Sequence, residues 1–180
     1  MLMAVAVARE KEMGPILNLY ATPLTVSEFL IGKQLPYIAI GVVNFLVLFA
    51  LVRIEFGVPF TGSFPALLLA ALLQSVVATG FGMILAALTR SQVAALTAAQ
   101  ILTMVPSIGY SGLVVPIGSM EGAAWYVAHG FPSSYFHGAV IGSFLKGFGF
   151  QDMAWRLWAL FGFGLAFTSI ALLMTREQER

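Results

Sequence analysis

The chain has no cysteine among its 180 residues, so disulfides and thiol chemistry are excluded and the redox compartment stays open. Charge is scarce: Asp, Glu, Lys and Arg make up 9% of the residues, against about 25% in an ordinary soluble domain. The two signs nearly cancel to a formal net charge of +1, which offers no electrostatic footing for nucleic acid. No run of the G-x-x-x-x-G-K-[ST] type cradles a nucleotide phosphate, which excludes ATP hydrolysis by this chain alone in the usual way. There are two histidines, His129 and His137. Together with Glu121 and Asp152 they lack the i, i+4 spacing of a metal site, and each reads more simply as a wet surface residue.

What is present is apolar surface. Hydrophobic residues reach 59%, and the mean hydropathy is +0.93. That composition predicts an all-α polytopic membrane protein with no separate soluble domain. Four spans follow from the need for about 20 apolar residues per crossing. They are residues 35–52, 64–88, 93–115 and 154–174. Met1 to Ala8 is also apolar, but eight helical residues cover about 12 Å of a core about 30 Å thick. Its positive charge follows the apolar run, the reverse of a signal peptide. It reads as the cytoplasmic end of a span whose earlier part is missing, in the C-terminal half of a larger membrane protein.

Residues 9–34 are the polar exception. Charges at the bilayer centre cost roughly 2.5–3.5 kcal/mol on insertion scales, so this segment meets water. Gly14-Pro15 breaks the helix arriving from Arg9, and proline suits the first position of a new one. Ile16, Leu19 and Tyr20 then share one face of a short helix, which Thr22-Pro23 ends. Thr25 and Glu28 have the spacing of a capping box that opens a second helix running toward the membrane. An interfacial amphipathic helix with no partner is the other reading of the same pattern.

Arg9-Glu10-Lys11-Glu12, Gly14, Thr22-Pro23-Leu24, Glu28 and Gly32-Lys33 resemble the cytoplasmic signature of ABC-2 type transporter permeases. The fuller run NLYATP…SEFLIGKQLPYIAIG is similar to the branch containing the membrane part of the ribosome-associated ABC ATPase and its stand-alone permease relatives. The resemblance implies that residues 9–34 form a coupling helix docking on an ATPase. Glu10, Glu12, Gly14, Ile16, Leu19, Tyr20, Thr22 and Pro23 would be its contact residues. It implies ATP bound on that partner with no cofactor in this chain, a second permease copy or an N-terminal half alongside, membrane lipid around it, and residence in the bacterial inner membrane.

Residues 116–153 are too apolar for an ordinary outer loop and too broken by glycine and proline to cross. Two pieces, Glu121 to Ala128 and Ser133 to Leu145, read as half-helices that dip into the outer leaflet and return, or as interfacial helices lying flat. Pro106, Ser111-Gly112, Pro116, Pro132, Tyr135-Phe136 and Lys146-Gly147 match the family pattern, which places a re-entrant helical hairpin here. Ile141, followed by Gly142, stands where relatives usually carry an arginine.

Polar residues within spans are the remaining candidates. Asn44, Gln74 and Gln100 read as a candidate substrate path, or as helix–helix glue along with Thr79, Thr97 and Thr103. Gly80-Phe81-Gly82 and Ala94, Ala95, Ala98 and Ala99 predict close backbone packing that a dimer seam could use. Gly109-Tyr110-Ser111-Gly112 spells the local pattern of an intramembrane serine protease, whose serine needs a base within reach. The functions this leaves are the permease of an ATP-driven exporter, a protease using Ser111, or a non-transporting anchor for a cytoplasmic ATPase.

Basic residues set the orientation. With residues 9–33 inside, Arg9, Lys11, Lys33, Arg90, Arg176 and Arg180 face the cytoplasm, and Arg53, Lys146 and Arg156 face out. The absence of native cysteine makes the test clean. Single cysteines at Ser91 and Gln178 are expected to resist a membrane-impermeant thiol reagent in intact cells, while one at Ser119 labels. Labelling at Ser91 would reverse the orientation.

Overall fold

The structure, a computed structural model, describes residues 1–13, 26–89, 91–112 and 114–177. Among these it is entirely helical, with no strand: α1 Leu2–Met13, α2 Val26–Ile54, α3 Phe64–Leu88, α4 Gln92–Tyr110, α5 Ala123–Gly130, α6 Pro132–Leu145 and α7 Phe150–Glu177. A short 3-10 turn, Ile117–Ser119, precedes α5. Four stretches among the described residues are long and apolar enough to cross a bilayer: Glu28–Ile54, Phe64–Leu88, Gln92–Tyr110 and Phe150–Thr175.

Three helix ends lie four or more residues from the expected span limits, each for a local reason. α2 begins at Val26 and carries Pro36 inside it, so the coupling-side helix and the first span are one continuous element. A proline interior to a membrane helix is tolerated where neighbours satisfy the freed backbone. α4 stops at Tyr110 and does not reach Val115. The chain turns there because Gly112 adopts φ 88°, a conformation that favours glycine. α7 starts at Phe150, four residues before Ala154, because the Asp152 carboxylate accepts a hydrogen bond from the Gly149 N–H at 2.9 Å and caps the first turn. The turn joining α3 and α4 is tight for the same kind of reason: Ser91 is the N-cap of α4, its Oγ accepting from the Ala94 N–H.

α3 is the centre of the bundle and packs against α7, α2, α1 and α6. Its buried positions are mostly small: Ala66, Ala70, Ala71, Gly80, Gly82, Ala86 and Ala87. In lipid, helices gain no hydrophobic stabilisation from covering one another, so close backbone approach and polar contacts hold them together. Gly80 is where α7 comes in: a Cβ there would lie 3.1 Å from the Thr168 nitrogen. Gly82 does the same for α1, with the Ala4 nitrogen at 3.2 Å from such a Cβ. Ala95 and Ala99 of α4 are buried in one cluster with Ala4, Ala8 and Leu85. The small residues of Gly80-Phe81-Gly82 and of α4 are thus largely consumed within the chain, with Ala94 left exposed.

The two ends of the bundle have different cores. At one end, Met3 and Val7 of α1, Leu30 of α2, Met83 and Ala86 of α3 and Ala171 of α7 form a buried cluster. At the other, Phe49, Phe60 and Phe144 pack edge to face, with ring centroids 5.2 Å apart for Phe49–Phe60 and 5.1 Å for Phe60–Phe144. α5 and α6 are joined through the single extended residue Phe131. The first turn of α6 reaches back over the joint. Ser134 Oγ donates toward the Ala128 and Phe131 carbonyls, each at 2.7 Å, and Tyr135 OH donates to the His129 carbonyl at 2.7 Å. The Arg156 guanidinium of α7 lies against Gly138 of α6 and over the rings of Phe148 and Trp155, at 5.2 and 4.5 Å.

Gly80→Val is expected to destabilise the purified protein by about 1–3 kcal/mol, because the α3–α7 contact leaves no room for added carbons. Gly109→Ala, at an open position of α4, is expected to be neutral or slightly stabilising. Denaturant unfolding in detergent measures both; equal effects would contradict the packing.

Candidate functional site

A buried polar node ties three helices. Gln34 of α2 is 4% exposed, and its Nε2 donates to Thr79 Oγ1 of α3 at 2.9 Å, with Thr168 Oγ1 of α7 and the Val76 carbonyl each at 3.4 Å. Thr79 in turn donates within its own helix, toward the Ser75 and Val76 carbonyls. Next to Gln34 in the chain, Lys33 Nζ donates to the Ala6 carbonyl of α1 at 3.2 Å and sits over the Phe29 ring. These contacts place the middle of α1 beside the N-terminal third of α2. Residues 14–25 therefore connect two helix ends at the same end of the bundle. Of the coupling residues, Glu10 and Glu12 lie on α1 with their side chains outside the described atoms. Gly14, Ile16, Leu19, Tyr20, Thr22 and Pro23 fall outside the described residues.

Gln34 and Thr168 were not among the sequence candidates. The signal was available for Gln34: once α2 is allowed to run through Pro36, a lone amide sits a few turns inside an apolar helix. Thr168 carries no local mark, since its partner is 134 positions away.

The three residues of the expected substrate path occupy separate places. Asn44 is exposed on α2 and lines an open groove of about 470 Å³ together with Tyr37, Gly41 and Thr79. Gln100 is exposed on α4 and lines neither that groove nor the cavity described next. Gln74 lines a cavity of about 150 Å³ between α3, α4, the α5–α6 joint and α7. Val77, Phe81, Thr103, Phe131 and Phe167 share its wall. Ser107 and Ser133, whose hydroxyls are 3.1 Å apart, share it too.

The serine–histidine arrangement does not assemble a nucleophile. Ser111 is buried at the end of α4, and His137 reaches it, but the ring Nδ1 donates to the Ser111 backbone carbonyl at 3.1 Å, not to its hydroxyl. His129 Nδ1 donates to the Trp125 carbonyl at 2.9 Å within α5, and its ring lies 4.1 Å from that of Trp125. Each histidine thus uses one nitrogen to tie backbone, whereas a general base must hold the serine proton.

Helices of this length, apolar on nearly all sides and packed through small residues and buried amides, define a polytopic integral membrane protein. A family model for the ABC-2 type transporter matches residues 1–145, and the chain belongs to that family. Its relatives include the probable multidrug ABC transporter permease YbhS of Escherichia coli K12, 32% identical over 81% of this chain and 39% of the relative. The inner membrane transport permease YhhJ of the same strain is 29% identical over 96% of this chain and 46% of the relative. The probable multidrug ABC transporter permease YbhR is 28% identical over 65% of this chain and 32% of the relative. The chain thus spans less than half the length of these curated relatives. No solved structure matches it.

With no histidine on the Ser111 hydroxyl, a fluorophosphonate probe is expected to leave the purified protein unlabelled. Stoichiometric labelling that disappears in Ser111→Ala would restore the protease reading.

Proposed function

We propose that this chain is membrane-domain sequence of an ATP-driven ABC-2 exporter, moving substrate across or out of the bacterial inner membrane while a separate ATPase supplies the energy. The observation that carries this is the family match over residues 1–145, and the names of the relatives point the same way. A second permease copy or an N-terminal half completes the path. The word multidrug in two relatives' names makes apolar, drug-like molecules the substrate class to try first. The side holding residues 14–25, the α3–α4 turn and the end of α7 is the cytoplasmic one in this reading, from the bias of basic residues.

The ATPase contact is residues 9–34. The pairing of α1 with α2 supports it, because the two helices that flank residues 14–25 in the chain touch each other and both pack on α3. Motion imposed on the start of α2 reaches α3 and α7 through the Gln34 amide. The apolar residues Ile16, Leu19 and Tyr20, set among acidic Glu10, Glu12 and Glu28, favour a protein groove over anionic lipid. Leu19→Asp and Tyr20→Asp are expected to insert normally but to weaken co-purification of the ATPase by at least about 2 kcal/mol, roughly thirtyfold. They should also abolish substrate-stimulated ATP hydrolysis. Undiminished co-purification and stimulation with both variants would remove this segment from the interface.

A further inference from the structure

Two cations share one ring where α6 hands over to α7. The Arg156 guanidinium lies 5.2 Å from the centre of the Phe148 ring, and Lys146 Nζ lies 5.8 Å from it. Two glycines one turn apart on α6 make the platform possible. A Cβ at Gly142 would run into the Phe148 ring, and one at Gly138 would sit 3.1 Å from Arg156 Nε. The Phe148 backbone is pinned on both sides, its N–H donating to the Gly142 carbonyl and its carbonyl accepting from the Ser63 N–H, each at 3.1 Å. The Trp155 ring also lies against the guanidinium, at 4.5 Å. A guanidinium lying over rings keeps its in-plane N–H groups for other partners.

Among the described residues little takes those groups. Arg156 Nη1 donates to the Asp152 carbonyl of its own helix at 3.4 Å. The Asp152 carboxylate is turned the other way, onto the Gly149 N–H at 2.9 Å. Neither Arg156 nor Lys146 forms an ion pair with a described carboxylate. Two cations and one carboxylate leave the cluster net positive. Its position names the missing anion. Arg156 is half-buried in the second turn of a helix apolar enough to span, and Leu145, Phe150, Trp155 and Trp158 around it are exposed. Exposed tryptophan at the end of a span marks the headgroup level of a bilayer, where phosphate is the abundant anion. A guanidinium takes two phosphate oxygens at once, and an ammonium adds a point charge. From these observations we infer that Arg156, with Lys146 beside it, binds the phosphate of an anionic phospholipid in the leaflet at this end of the bundle. Trp155 and Leu145 lie along the apolar part of that lipid. The binding does not depend on the transport reading or on which leaflet this is.

The full 180-residue chain, purified in detergent, is incubated with equal amounts of phosphatidylglycerol and phosphatidylcholine of identical acyl chains, and native mass spectrometry counts the bound lipids. Wild-type protein is expected to retain phosphatidylglycerol over phosphatidylcholine by about twentyfold, and Arg156→Gln and Lys146→Gln each to lower that ratio about fivefold. Gly138→Leu fills the notch without removing a charge and should lower the ratio as far as Arg156→Gln does. Arg53→Gln removes a cation that is tied instead to the Val58 carbonyl, and should leave the ratio unchanged. Excess inorganic phosphate should not displace the lipid, because a free ion lacks the apolar contacts. Should Arg156→Gln or Gly138→Leu fail to fold, the wild-type ratio, Lys146→Gln and Arg53→Gln still decide. Equal retention of the two lipids by wild type, an unchanged ratio in Arg156→Gln or Lys146→Gln, an equal loss in Arg53→Gln, or displacement by inorganic phosphate would overturn the inference. ATPase co-purification is a separate readout, so loss of coupling and loss of this site are told apart.

Discussion

Close backbone approach along α3 is the constraint from which the rest of the structure follows. In hydrocarbon, covering one apolar helix with another gains little over covering it with lipid, so contact distance and polar pairing decide which helices associate. Gly80 admits α7 and Gly82 admits α1, and a Cβ at either position would crowd the incoming backbone. α2 comes in the same way at Gly41, where a Cβ would crowd the Ser75 side chain of α3, and it adds the Gln34 amide on Thr79 and Thr168. Such interhelical hydrogen bonds contribute about 0.6 kcal/mol on average and at most about 1.7, so Gln34 serves register more than strength.

α2 packs along α3 with Phe45 and Phe49 against the core it shares with α6 and α7, and Gln34 and Lys33 tie it to α3, α7 and α1, while its outer face shows Ile40, Val43, Val47 and Leu51. The same helix leads directly into residues 14–25, the proposed ATPase contact. A pull at that end would reach the bundle at Gln34, and the groove lined by Asn44 and the cavity lined by Gln74 both border α3 at Ala78.

Much of the fold was legible because membrane helices announce themselves by length and hydropathy. α3 occupies the residues 64–88 expected of it, and the glycines and prolines of residues 116–153 marked short helices that the structure places at Ala123–Gly130 and Pro132–Leu145. The errors were at ends, where single interactions decide. The first span and the helix expected to open at Thr25 are one element, α2, with Pro36 inside it, while Gly112 ended α4 earlier than hydropathy indicated. The site was less legible. Composition flags a polar residue in a span but does not say what it faces, so Asn44, Gln74 and Gln100 looked equivalent and are not. Ser111 and His137 do meet, yet through a carbonyl, a distinction of a few ångströms that no spacing rule encodes.

The account turns on α1 and α2 running side by side so that both ends of residues 14–25 emerge together. The cysteine-free chain allows a direct measurement: the pair Ala6→Cys and Lys33→Cys, treated in membranes with dibromobimane, which fluoresces when it bridges two thiols. The Lys33–Ala6 contact predicts a fluorescent intramolecular adduct for this pair and none for Ala6→Cys with Lys146→Cys. Absence of the adduct in the first pair, with both thiols shown to be reactive singly, would contradict the arrangement on which the coupling proposal stands.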